Sequence, residues 1–99
     1  MKLLDTKNQL TEKQKHMDRV AAVDNAVVLN IQLRKGEEIA EHDADSEVFI
    51  IVRKGRVRFT VEGETVELTP DNVLHMDPRE KHSLHAIEES DLIVIQAKP

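Results

Sequence analysis

AEHDADSEVFIIVRKG, residues 40–55, is the stretch on which the reading of this chain turns. Its first half sets His42 among the acids Glu41, Asp43, Asp45 and Glu47. Its second half is a run of apolar β-formers closed by Gly55. EVFIIV, from Glu47 to Val52, is apolar on both faces, which predicts a strand buried on both sides. Asp43, Asp45 and Glu47 are expected to form a solvated loop. A catalytic acid/base set would require carboxylates held in differing environments.

Working outward, the same short period recurs. In AVVLNIQLR, Val27, Leu29, Ile31 and Leu33 share one face, and Asn30, Gln32 and Arg34 share the other with Val28. RVRFTVE alternates Val57, Phe59 and Val61 against Arg56, Arg58, Thr60 and Glu62. Gly63-Glu64 suits a tight hairpin turn in which Gly supplies positive φ. TVEL returns, Pro70-Asp71 marks a turn, and NVLHM (72–76), HSLHAIE and DLIVIQA complete the pattern. Short strands at 8–12-residue spacing with turn signals between them predict an all-β sandwich or barrel. Residues 1–19 read as a polar N-terminal segment and residues 20–99 as the β domain. TEKQ, Thr11 to Gln14, has the form of a capping box, and it predicts a short helix carrying Met17, Val20 and Ala21.

The chain has 99 residues, enough for one core, and at this size roughly 60–70% of the unfolded surface is buried. Phe49 and Phe59 are its only aromatics, so the core is aliphatic and a base-stacking surface is absent. With no Cys, disulfides, thiolate nucleophiles and Cys-type zinc sites are excluded, and a reducing compartment fits. A net charge of −5 disfavours nucleic-acid phosphates and anionic membranes. No segment approaches the ~18 apolar residues of a membrane span, and MKLLDTKNQLTEK has no signal-peptide run. A cytoplasmic, soluble domain is the expectation.

These residues resemble the cupin family over about residues 20–97. The family's first motif runs Gly, five residues, His-x-His, three or four residues, Glu, six residues, Gly. Here Gly36, five residues and His42 match its start, and Gly55 matches its end. The second motif has a Pro-x-Gly turn, a strand, a Pro-containing loop and a His. TPDNVLHMDPREKHSL supplies Pro70, a short strand, Pro78 and His82. The resemblance implies a cupin-type double-stranded β-helix, an antiparallel jelly-roll barrel with a pocket at one end. It also implies a homodimer, since many members dimerise. Members range from isomerases and oxygenases to storage and sensory proteins, so the fold alone does not select an activity.

In metal-bearing members, two His and one Glu of the first motif join a His of the second to hold Fe, Mn, Ni, Cu or Zn. His42 and His82 match two of these ligands. Ala44 stands where the second His would be. A gapless count places Val48, not Glu47, at the Glu position, and puts Val48, Ile50 and Val52 on the pocket side. Glu47 would join His42 and His82 only if a β-bulge turned it inward. His75 shares a face with Val73 and Asp77, and His85 points opposite to His82.

Three expectations follow. The first is a small organic ligand held in an aliphatic pocket with His42 and His82 as its polar groups. The second is a metal-dependent oxygenase or isomerase using His42, His82 and Glu47 as candidate ligands. The third is a ligand-free homodimer joined through AVVLNI or DLIVIQ. Arg56 and Arg58 offer an anion contact or, more simply, a charged sheet face. Ser46 and Ser83 form no defensible triad.

Overall fold

A computed structural model describes residues 1–98. Nine strands run in chain order: β1 (Lys15–Val23), β2 (Ala26–Leu33), β3 (Glu38–His42), β4 (Glu47–Lys54), β5 (Val57–Val61), β6 (Glu64–Leu68), β7 (Val73–Met76), β8 (His82–Ala86) and β9 (Ser90–Ala97). Among the described residues no helix is long and apolar enough to cross a membrane. Two antiparallel sheets face each other, a five-stranded one in the order β1-β2-β9-β4-β7 and a four-stranded one in the order β3-β8-β5-β6.

Alternation explains the packing between them. Ile31 and Leu33 of β2, Val48, Ile50 and Val52 of β4, and Leu92 and Val94 of β9 project from the first sheet into the core. Val57 and Phe59 of β5 and Leu84 and Ala86 of β8 meet them from the second. The inward face of β4 is therefore the one the gapless count selects. Its outward face is less covered than expected. Phe49 is 39% exposed, so β4 is buried on one side and only partly on the other.

The N-terminal segment departs most from expectation. No helix follows Thr11. Residues 15–23 form β1 instead, paired along β2 from Lys15↔Leu33 to Val23↔Ala26. A ladder of that length outweighs a local capping signal, because propensity is a weak prior beside tertiary pairing. The residues ahead of β1 cross the outer face of the five-stranded sheet. There Asn30 and Gln32, the polar side of β2, are each 1% exposed. Gln32 Oε1 accepts the Gln9 N–H at 2.7 Å, and Gln32 Nε2 donates to the Lys7 carbonyl at 2.9 Å. Asn30 Nδ2 donates to the Leu92 carbonyl at 3.0 Å and Asp91 at 2.9 Å. Arg53 joins Asp91 to Thr6, and Leu10 is buried. These buried polar groups are satisfied, as burial requires.

Of the acids expected in a solvated loop, Asp43 and Asp45 lie between β3 and β4, and Glu47 opens β4. β3 runs through His42 and pairs with β8. The β5–β6 hairpin turns at Glu62-Gly63, one residue earlier than expected. Both residues have positive φ, 48° and 80°, and Val61 pairs with Glu64 across the turn. This is the geometry in which a two-residue loop matches strand twist.

β1 and β3 are the edges of their sheets on the same side of the sandwich, and no ladder joins them among the described residues. The barrel is open there. Lys15 bridges the gap by donating from Nζ to the Glu38 carbonyl at 2.7 Å, with Glu37 at 3.8 Å.

Candidate functional site

The opening between β1 and β3 leads into a cleft of about 280 Å³. Met17, Ile31, Leu33 and Ile39 give it an apolar wall, with Lys15, His16 and Glu38 at its charged and polar positions. Met17, Ile31 and Ile39 also border a smaller chamber of about 50 Å³ deeper between the sheets. That chamber is walled by Leu29, Val48, Ile50, Phe59, Leu84 and Val94, and its polar lining is His42, His82 and Gln96.

A β-bulge brings the two histidines together. β3 and β8 pair Ile39 with Leu84, then His42 with His82, so one extra residue lies on β3 between these rungs. Strict alternation from the inward Ile39 would point Glu41 inward. The bulge shifts the parity by one and gives that direction to His42. The imidazole rings then meet edge-on, with centroids 4.2 Å apart and planes at 61°.

Both rings are held in the same way. His42 Nδ1 donates to the Ala40 carbonyl at 2.9 Å, and His82 Nδ1 donates to the Glu80 carbonyl at 3.0 Å. A carbonyl oxygen only accepts, so Nδ1 carries the proton in the neutral ring and Nε2 keeps its lone pair. Among the described residues neither Nε2 has a protein partner. His82 is 6% exposed, yet its ring leaves no sealed, unsatisfied nitrogen. Its Nε2 therefore reaches open space, and the chamber is the open space it lines.

Glu47 lies elsewhere. The β4–β9 ladder is regular from Glu47↔Ala97 to Val52↔Leu92, with its irregularity only beyond Val52. With no bulge beside it, Glu47 points outward while Val48 points in. Its Oε1 lies 2.6 Å from His75 Nε2 on the outer face. The structure thus brings His42 and His82 together and leaves Glu47 on the opposite side of the sheet. Ala44 packs against the core, and Val48 belongs to it. The family's four-ligand metal set does not fit this chamber, where two imidazoles meet one amide and no carboxylate.

Gln96 is the polar residue that motif reasoning passes over. It follows Leu92 and Val94 at period two, and β4–β9 pairing sets it opposite Val48. The same alternation that marks Leu92 and Val94 as inward marks Gln96. The arginines offered as anion contacts face outward. Arg56 bonds Glu88 at 2.8 Å and Glu67 at 3.2 Å. The Glu88 hydrogen bond, then the nearby carboxylate charges, raise its pKa above the ordinary value. His85 points away from the chamber and meets Glu38 at 3.1 Å.

Two facing sheets, a jelly-roll strand order and a pocket lined from both sheets define the class: a double-stranded β-helix domain. A family model for the cupin domain matches residues 30–97, and the chain belongs to that family. No curated protein sequence matches the chain. Solved structures share the fold. A cupin-family protein of Methanocaldococcus jannaschii superposes with a TM-score of 0.85 at 20% identity, over 99% of this chain and 91% of its own. A conserved Streptococcus pyogenes protein of unknown function gives 0.82 at 19% identity, over 100% and 96%. KdgF from a Halomonas species gives 0.79 at 19% identity, over 90% and 84%.

Proposed function

We propose that this cupin binds a small organic molecule, entering between β1 and β3 and meeting the His42–His82 pair in the inner chamber. One observation carries the reading: His42 and His82, whose Nε2 atoms have no protein partner among the described residues, line a chamber whose remaining walls are apolar except for Gln96. The chemistry selects a short aliphatic carboxylic acid. Its chain matches Ile31, Ile39 and Val94. The ligand is a carboxylate at neutral pH, and an Nε2 that takes up a proton from water as it binds donates to it; such a charge-assisted contact is stronger than a neutral hydrogen bond. The cleft and chamber lie at or below the low end of ligand-pocket volumes, so the ligand is small. A cytoplasmic location fits the cysteine-free chain.

The test is titration of the ¹⁵N-labelled chain with straight-chain acids of about four to eight carbons, a size set by the cleft. Saturable shifts are expected at Ile31, Ile39, Val94 and Gln96. His82→Ala is expected to weaken binding about tenfold or more, the effect of removing a charge-assisted hydrogen bond. No saturable shift at millimolar acid, or equal affinity in His42→Ala and His82→Ala, would sink the proposal.

The second reading is a metal-dependent enzyme. The paired Nδ1–carbonyl bonds favour it, because ligating histidines are oriented in this way. It ranks second because the chamber supplies only His42, His82 and the weak amide donor Gln96. Near-stoichiometric metal in chelator-free protein, lost in both His→Ala variants, would place it first.

A second copy of the chain is the expected partner. Ladder pairing joins Val28, Ile95 and Phe49 in one row and Ile93, Ile51 and Val73 in the next. Together they make an apolar strip on the outer face, with Val73 60% exposed. The parent is expected to sediment as a dimer and Phe49→Glu as a monomer. A monomeric parent would remove this part of the reading.

A further inference from the structure

Glu47 did not join the pocket, and the place it occupies has chemistry of its own. β4–β7 pairing runs Val48↔Met76, Phe49↔His75 and Ile50↔Leu74. Continued by one rung, it sets Glu47 opposite Asp77. Two carboxylates directly across a ladder repel each other unless a cation lies between them. His75 Nε2 lies at that point, 2.6 Å from Glu47 Oε1 and 4.0 Å from Asp77 Oδ1. One donor atom from each of the three residues lies within 4.8 Å of the others.

The surroundings favour a cation. His75 also borders a groove of about 240 Å³ between the β5–β6 hairpin and β7. The other ionisable groups of that groove are Glu62, Glu64 and Glu80, and no Lys or Arg lines it. Glu80 is tied to the same corner by accepting the Asp77 N–H at 2.7 Å. The nearby Arg79 is engaged by Asp45 at 3.2 Å. The local field is therefore acidic, and it concentrates cations at the one imidazole in it.

The donors are also partly positioned in advance. The His75 ring lies against Phe49, with centroids 4.9 Å apart and planes at 34°, so packing restrains it. Glu47 and His75 stand on adjacent strands rather than on loops, which favours a defined geometry. Two ligands of one zinc ion span at most about 4 Å. The side chain of Asp77, 72% exposed, is free to close the remaining distance.

We propose that Glu47, His75 and Asp77 form a site for a divalent transition-metal ion on the outer face of the five-stranded sheet, separate from the pocket. One imidazole and two carboxylates suit Zn²⁺, Co²⁺ or Mn²⁺, with water completing the coordination. The proposal does not rest on the ligand reading above, because the pocket histidines lie on the other side of the sheet.

The experiment is titration of the full ¹⁵N-labelled chain with Co²⁺. The paramagnetic ion broadens the amides nearest to it, so it reports position as well as binding. Selective broadening at Glu47, Phe49, His75 and Asp77 is expected. His75→Ala should require at least tenfold more Co²⁺ for the same effect, and Glu47→Gln should weaken binding in the same direction. Both residues are on the surface, and the unperturbed remainder of each variant's spectrum verifies its fold. Broadening confined to His42 and His82, broadening around Glu47 that His75→Ala leaves unchanged, or none at millimolar Co²⁺ would each overturn the proposal.

Discussion

Phe59→Ala is expected to lower the unfolding free energy by about 3–5 kcal/mol, the range for deleting a buried aromatic side chain. Phe59 is fully buried and stands in the middle of β5, with Val66 opposite on β6 and Leu84 opposite on β8. The chain's other phenylalanine, Phe49, lies on the outer face of the five-stranded sheet and cannot move into the vacated space. The surrounding side chains lie on paired strands of both sheets, which limits collapse around the cavity. Phe59 also walls the inner chamber, so the same change should enlarge the pocket and shift its preference toward bulkier acids. Urea unfolding followed by circular dichroism measures the stability loss. A change below about 1 kcal/mol would mean that the site repacks, contrary to the packing described.

Gly55→Ala is expected to destabilise the chain by about 2–6 kcal/mol, combining left-handed backbone strain with overpacking. Gly55 closes the β4–β5 turn with φ +89°. A Cβ there would stand 2.3 Å from the Glu89 carbonyl oxygen, 2.5 Å from Ser90 Oγ and 3.0 Å from Ser90 Cα. The obstruction is largely backbone, and no side-chain rotation relieves it. Moving Glu89 and Ser90 disturbs the start of β9, which sits between β2 and β4 in the five-stranded sheet. It also disturbs Ser90 Oγ, a donor to the Glu88 carbonyl at 2.7 Å. The expected thermal midpoint falls by more than about 10 °C for a domain of this size. A fall within about 3 °C would show that the turn accommodates a side chain, against the close approach described.

Much of this fold is legible in the sequence because its signal is local. Period-two alternation marks β2 and β5, a continuous apolar run marks β4, and the span from His42 to Gly55 marks the correct inward face of β4. What is not legible depends on partners distant in the chain. β1 and β3 are edge strands with one ladder each, so their sequences alternate weakly, and a capping pattern near Thr11 reads more strongly than the strand that follows. Asn30 and Gln32 read only as the polar face of β2, because nothing nearby announces that residues 7–10 will cover them. The bulge between Ile39 and His42 appears only in the β3–β8 register, and the Glu47–His75 contact only in the β4–β7 register. Gln96 differs: its alternation with Leu92 and Val94 was available, but a neutral amide draws less notice than a histidine.

The candidate site divides in the same way. The pairing of His42 with His82 follows from the two motifs and their order. The separation of Glu47 from that pair is a question of parity, which one residue of slip decides. The regular β4–β9 ladder settles the parity, and the outcome links Glu47 to different chemistry on a different face.

On the proposed function, the space between the sheets, lined by His42 and His82, receives an aliphatic acid. Isotope-filtered NOE spectroscopy of the labelled chain with an unlabelled acid tests it most directly. Contacts are expected from the ligand's alkyl protons to the methyl groups of Ile31, Ile39 and Leu84, together with displacement of the His42 and His82 imidazole ¹⁵N resonances. Contacts to Phe49, Val73 and Ile95 instead, with those imidazole resonances unmoved, would place the acid on the outer apolar strip and contradict the account.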